Sequence, residues 1–66
     1  METILKIICS VILLSDGSQN ISHYKLSYQQ GYFCFDEITK EQAIYFNNTE
    51  LVPIDTQYVK TKYVKL

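Results

Sequence analysis

The most constraining feature of this 66-residue chain is the run 4–14, which reads ILKIICSVILL. Only Lys6 and Ser10 interrupt its apolar residues. A helix made of this run would be apolar on almost every side, and so short a protein could not bury it. Isoleucine and valine are stiff at χ1 and favour the pleated surface of a sheet. The run therefore predicts a long central β-strand.

Both faces of that strand are apolar. Successive side chains of a strand point to opposite faces, so the odd-numbered positions from Leu5 to Leu13 form one continuous apolar face, which we assign to the core. The even-numbered positions are also mostly apolar and need cover from a helix, a curled sheet or a second chain. Since one short helix cannot cover them, we predict self-association through four of these residues. They are Ile4, Ile8, Ile12 and Leu14.

Two further strands are predicted in the middle of the chain. Asp16 and Gly17 form a strong turn signal, and residues 21–29 then alternate apolar and polar side chains, as a half-buried antiparallel strand does. The turn at Gln30 leads into a third strand over residues 32–36. Three strands joined in sequence predict a meander.

A helix and a last strand complete the chain. Residues 39–42 have the form of a capping box, with Thr39 as N-cap, and predict a short helix over about 40–47. Pro53 argues against a central strand after it, and residues 58–66 predict a lysine-bearing strand beside the first. The whole chain is predicted to be one α+β domain over residues 1–66. Its order is β-β-β-α-β, with one short helix on a small antiparallel sheet of about four strands, open or curled toward a barrel.

The length and the net charge of the chain indicate which kinds of binding partner are expected. A chain this short buries only about 60% of its unfolded surface, so a second subunit would add stability that its own core lacks. Six lysines, no arginine and seven acidic residues give a net charge of −1. This balance does not indicate a dedicated nucleic-acid-binding protein. The composition resembles that of AT-rich genomes, so a phage or mobile-element inhibitor or accessory factor is one form that the protein could take.

The cysteines and the N-terminus favour the cytoplasm. Cys9 and Cys34 both lie in apolar runs, where reduced cysteine behaves as a small hydrophobe. The start of the chain lacks a positive region and a cleavage site for secretion, and the run 4–14 is too short to span a bilayer. We predict a cytoplasmic protein with reduced thiols and no membrane contact.

The sequence indicates no catalytic chemistry. His23 is the only histidine, and its parity is opposite to that of Tyr24, so we expect it to point away from the core that holds the cysteines. The acidic pair Asp36 and Glu37 stands near the helix start, where carboxylates favour the helix dipole. We therefore predict no enzyme, no metal site and no cofactor.

Two binding functions remain. The first is a protein-interaction module that forms a homo-oligomer through its sheet. The alternative is a nucleic-acid or nucleotide-binding protein, because lysine interleaved with aromatic residues on a sheet can hold phosphates and stack on bases. The candidate ligand-binding residues of this alternative are Tyr58, Lys60, Lys62, Tyr63 and Lys65.

Overall fold

The structure is a computed structural model that describes residues 2–60. It confirms the α+β class, the predicted element order and the single short helix. The elements are β1 (Thr3–Leu13), β2 (Gln19–Gln29), β3 (Tyr32–Ile38), α1 (Lys40–Thr49) and β4 (Ile54–Lys60).

The four strands form one open sheet in the order β3-β2-β1-β4. β2 pairs antiparallel with both β1 and β3, whereas β4 runs parallel to β1. The prediction of a purely antiparallel sheet is therefore wrong for the last strand. The reason is that α1 carries the chain back along the sheet after β3, so β4 enters in the direction of β1. β3 and β4 are the two edges of the described sheet, which is not a closed barrel.

A bulge near the start of β1 changes which residues share a face. The register with β2 shifts between Ile4 and Lys6, which leaves Leu5 as the extra residue. Ile4 then lies on the same face as Ile7 and packs against the buried cluster, while Leu5 is exposed. Strict alternation predicted the reverse for both, so the core assignment of Leu5 and the uncovered-face assignment of Ile4 are wrong.

The core lies between α1 and one end of the sheet. Ile7, Ala43 and Val52 are buried together, and Ile38 and Phe46 pack against them. Ten helical residues extend about 15 Å, whereas eleven strand residues extend about 36 Å. The helix therefore covers less than half the length of β1, and on one face only.

The predicted capping box is confirmed at the start of α1. The Gln42 backbone N–H donates to Thr39 Oγ1 at 3.1 Å, and the Thr39 N–H donates to Gln42 Oε1 at 3.0 Å. The helix ends at Thr49, two residues beyond the predicted end. The chain then turns through Leu51, whose φ of +55° lies in the left-handed region.

A tight turn joins β2 to β3. Gln30 and Gly31 have φ of 50° and 86°, the positive values of a two-residue type I′ hairpin turn. β3 continues to Ile38, two residues beyond the predicted end. β4 begins directly after Pro53 as an edge strand beside β1, four residues earlier than predicted, and residues 61–66 lie outside the described range.

Candidate functional site

The face of the sheet opposite α1 is covered by no other element of the described chain, and we call it the open face. Strand pairing places its side chains, since register partners point to the same side. Lys6, which is on this face, pairs with Leu26, and Leu26 pairs with Phe35. The large apolar side chains of the open face are Ile8, Ile12, Tyr24, Leu26, Tyr28, Phe33, Phe35 and Val59.

Aromatic pairs organise the β2–β3 half of this face. Tyr24 and Phe35 stack with ring centroids 4.9 Å apart and planes 13° apart. Tyr28 and Phe33 meet edge to face, with centroids 5.2 Å apart and planes at 67°. Each pair joins β2 to β3, so each ring is held in place by its cross-strand neighbour. This half of the open face is therefore a preformed aromatic surface.

The same rings are accessible to a partner. Phe33 is 72% exposed and Phe35 57% exposed, and Tyr28 and Val59 are also exposed. Ile8 and Ile12, in the middle of the sheet, are half-buried. Single exposed hydrophobic residues are ordinary, but a contiguous patch of them marks an interaction surface. The open face has this character over β2, β3 and Ile8, whereas a polar row of Gln57, Ser10 and Ser22 separates Ile12 and Val59 from that patch.

Charge on the open face is nearly balanced. Lys6 Nζ lies 3.1 Å from Asp55 Oδ2, and both side chains are about half exposed. This pair joins β1 to β4 within the face itself. Glu37, at the end of β3, is the remaining acidic group on this side of the described sheet. The face therefore presents no cluster of positive charge to a phosphate backbone.

Two of the four predicted self-association residues lie on the open face, and the other two lie elsewhere. Ile8 and Ile12 lie on the open face, as predicted. Ile4 packs under α1 because of the bulge. Leu14 follows the end of β1 and forms a turn, in which its N–H donates to the Ser18 carbonyl at 2.9 Å and its own carbonyl accepts from the Gly17 N–H at 3.1 Å.

The aromatic half of the site is not predicted from the sequence. The apolar stripe of β2 was expected to face the core, whereas Tyr24, Leu26 and Tyr28 point away from α1. The signal that could have found them was the match between two aromatic stripes, one on each arm of a hairpin with a two-residue turn.

Most of the predicted nucleic-acid strand lies outside the described residues. Tyr58 is exposed on edge strand β4, on the side of the sheet that carries α1. Lys60 ends β4 and pairs through its backbone with Leu13. Lys62, Tyr63 and Lys65 fall in the range that the structure does not describe.

A cleft of about 600 Å³ opens on the helix side of the sheet, near the start of α1. Cys9 and His23 both line it, and they are register partners on β1 and β2. The expectation that His23 points away from the cysteines is therefore wrong, because the polar stripe of β2, and not its aromatic stripe, faces α1. Over residues 2–60 no group of three or more histidine, cysteine, aspartate or glutamate side chains is arranged to hold a metal ion.

Another charged group on the helix side has a structural role. Lys25 Nζ lies 3.0 and 3.2 Å from the two carboxylate oxygens of Glu2 and 5.3 Å from the centre of the Phe46 ring. The hydrogen bond from Lys25 lowers the pKa of the Glu2 carboxyl. The Ser27 hydroxyl lies near this carboxylate and also contributes to its lowered pKa, but it makes no hydrogen bond of acceptable geometry within the described residues.

Comparisons with known protein families, with curated proteins and with solved structures found no match to this chain. Within the described residues, no helix has the length and apolar character needed to cross a membrane. The case for a function therefore rests on the geometry and chemistry of the chain itself.

Proposed function

We propose that this chain is a small non-catalytic protein-interaction module that associates with a second copy of itself through the open face of its sheet. The observation that carries the proposal is the contiguous apolar patch of β2 and β3 on the face opposite α1, with the exposed rings of Phe33 and Phe35 at its edge.

The thin core gives association a physical reason. The buried apolar side chains of the described residues are Ile7, Val11, Ala43 and Val52. Two sheets that pack face to face lie about 10 Å apart and enclose a core between their inner side chains. Two open faces in contact would enclose a second core, made of the residues that α1 leaves uncovered.

The charges of the open face fit a copy of itself. In a two-fold symmetric interface the same patch occurs on both sides, so an unbalanced charge would approach its own equivalent. Lys6 and Asp55 already neutralise each other within the face, at 3.1 Å. This face offers no charged cluster that would attract an acidic or basic partner. A second copy of the same face would instead bring apolar side chains against apolar side chains.

The shape of the open face suggests the orientation. β2 and β3 carry all of its aromatic side chains together with Leu26, and the apolar side chains of β1 and β4 are aliphatic. A two-fold axis parallel to the strands would place β3 of one copy over β4 of the other. Such an axis keeps the position of each residue along the strands, so Phe35, which is level with Lys6, would lie over the Lys6 and Asp55 end of the other copy. An axis across the strands would bring the same rings against each other.

Sedimentation velocity over the micromolar range tests the proposal with two matched variants. Phe33 and Tyr32 are adjacent on β3, 72% and 73% exposed, and point to opposite faces. We expect Phe33→Lys to weaken dimerisation about 30-fold or more, as the loss of an interface anchor worth at least 2 kcal/mol does. Tyr32→Lys should leave it unchanged. A wild-type chain that stays monomeric, or equal weakening by both variants, would refute the proposal.

The cytoplasm is the compartment that fits this function. Cys9 and Cys34 are free thiols in the structure, and each lies beside a different partner, His23 and Ser27 respectively. Free cysteines of this kind are typical of a reducing compartment.

A second candidate function is the binding of a nucleic acid or nucleotide by the C-terminal strand. It is favoured by the exposed ring of Tyr58 on edge strand β4, where a base could stack. The double variant Lys60→Glu, Lys62→Glu should then abolish an oligonucleotide gel shift that weakens steeply with salt. The absence of any shift for the wild-type chain at low salt would exclude the nucleic-acid form, and a nucleotide screen would test the other.

A further inference from the structure

Cys9 and His23 stand directly opposite each other on neighbouring antiparallel strands, on the face that carries α1. Both side chains are half-buried and both line the cleft of about 600 Å³. We propose that this pair is a binding site for a soft monovalent cation of the Cu(I) class, with Cys9 Sγ and one imidazole nitrogen of His23 as its ligands.

The strand register gives the pair the right spacing. Directly opposed residues of an antiparallel pair have Cβ atoms about 4.5 to 5.5 Å apart. With metal–sulfur and metal–nitrogen bonds near those of zinc, a linear S–M–N arrangement separates the two ligand atoms by about 4.3 Å. A thiol and an imidazole on such neighbouring Cβ atoms can reach this separation by rotation of their side chains alone.

The cleft supplies access and a partly apolar surrounding. α1 covers the other end of this face, over Ile7, and leaves Cys9 and His23 open to the cleft. Ile21 and Ile38 line the same cleft, Ile21 being the register partner of Val11 and Ile38 that of His23. Glu37 and Lys40 line the cleft as well, so it also carries one carboxylate and one ammonium group.

The number and type of ligands select the class of cation. Zinc in structural sites takes four protein ligands, and the described residues bring no third histidine, cysteine or carboxylate into one group with this pair. Cu(I) and Ag(I) accept two ligands in a line, and a thiolate is a ligand that Cu(I) prefers. Binding replaces the thiol proton, so one cation enters, one S–M bond forms and one proton leaves to water.

This site is separate from the proposed interface. Cys9 and His23 point to the helix side of the sheet, whereas the dimer would form through the open face. Loss of cation binding and loss of self-association are therefore measured independently, and neither result decides the other.

Competition for Cu(I) against a chromogenic chelator, without oxygen and with a reductant present, tests the site. We expect one equivalent to bind to the wild-type chain, and Cys9→Ser and His23→Gln each to weaken binding at least tenfold. Cys34→Ser is the matched control, because Cys34 is a half-buried thiol on the same face opposite Ser27, and it should bind as the wild type does.

X-ray absorption at the copper edge gives a second readout, which uses the wild-type chain and therefore needs no folded variant. The wild-type complex should show one sulfur and one nitrogen scatterer. Absence of binding by the wild-type chain, equal loss with Cys34→Ser, or a sulfur-only ligand shell would overturn the proposal.

Discussion

The rings of Tyr24 and Phe35 stack across β2 and β3, 4.9 Å between centroids, on the side of the sheet that α1 leaves open. Such pairs contribute about 0.5 to 1.5 kcal/mol beyond the area that they bury. The contact holds edge strand β3 on the sheet, while Phe35 remains 57% exposed. One pair of side chains therefore stabilises the monomer and presents an apolar surface to a partner.

Replacement of Ser27 by alanine should stabilise the protein. Ser27 is fully buried, and its hydroxyl, although it lies near the Glu2 carboxylate, makes no hydrogen bond of acceptable geometry within the described residues. A buried hydroxyl without a partner costs about 1 to 3 kcal/mol, so we expect Ser27→Ala to raise the free energy of unfolding by about 1 kcal/mol. Urea unfolding at fixed protein concentration measures this change, with the half-buried Ser10→Ala as control. A destabilised Ser27→Ala variant would contradict the prediction.

Glycine should be favoured over leucine at the residue after the α1 C-cap. Leu51 has φ of +55° and is 84% exposed, so it has left-handed strain and little packing to lose. We expect Leu51→Gly to gain about 0.5 to 1 kcal/mol, since glycine adopts this conformation without a Cβ penalty. Leu51→Ala keeps the strain and should change thermal stability little. An equal gain with alanine would mean that backbone strain is not the cause.

The cap of α1 should contribute measurably to stability. Thr39 Oγ1 accepts the Gln42 N–H, so Thr39→Ala removes the partner of an N-terminal helix donor. We expect a loss of about 1 kcal/mol in chemical denaturation. Thr49→Ala, at the other end of α1, removes only an exposed hydrogen bond to the Tyr45 carbonyl and should cost less. Equal losses would argue against a specific role for the cap.

Stability should fall in acid through two carboxyl groups. The hydrogen bond from Lys25 lowers the pKa of Glu2, and hydrogen bonds from the Ser18 hydroxyl and N–H lower that of Asp16. A lowered folded-state pKa gives stability that is present above the unfolded-state value, near 4, and is lost as pH falls through the folded-state value. Thermal unfolding between neutral pH and pH of about 3 should show this loss, and Glu2→Gln with Asp16→Asn should flatten it. An unchanged acid slope in the double variant would contradict this assignment.

Local signals were readable in the sequence. The capping box at Thr39 and the turn at Gln30 depend on neighbours within a few residues, and both are where the sequence predicts them. The long central β1 follows from composition alone, because no other element can bury so apolar a run.

The sequence did not predict which side chains of β1 and β2 face α1, nor the direction of β4, because both depend on contacts between distant parts of the chain. One bulged residue, Leu5, reverses the parity of the start of β1. On β2 the polar stripe faces α1, where Lys25 Nζ lies over the Phe46 ring and pairs with Glu2. That arrangement turns Tyr24 to the open face and brings His23 opposite Cys9, and alternation alone contains neither result.

An isotope-filtered NOE measurement on a mixture of labelled and unlabelled chains tests directly whether two copies associate through the open face. Self-association through the open face about an axis parallel to the strands predicts intermolecular cross-peaks from the ring protons of Phe35 to the methylene groups of Lys6 and the methyl groups of Ile8. Intermolecular cross-peaks that involve α1 instead, or none at concentrations where the chain sediments as a dimer, would show that the open face is not the interface.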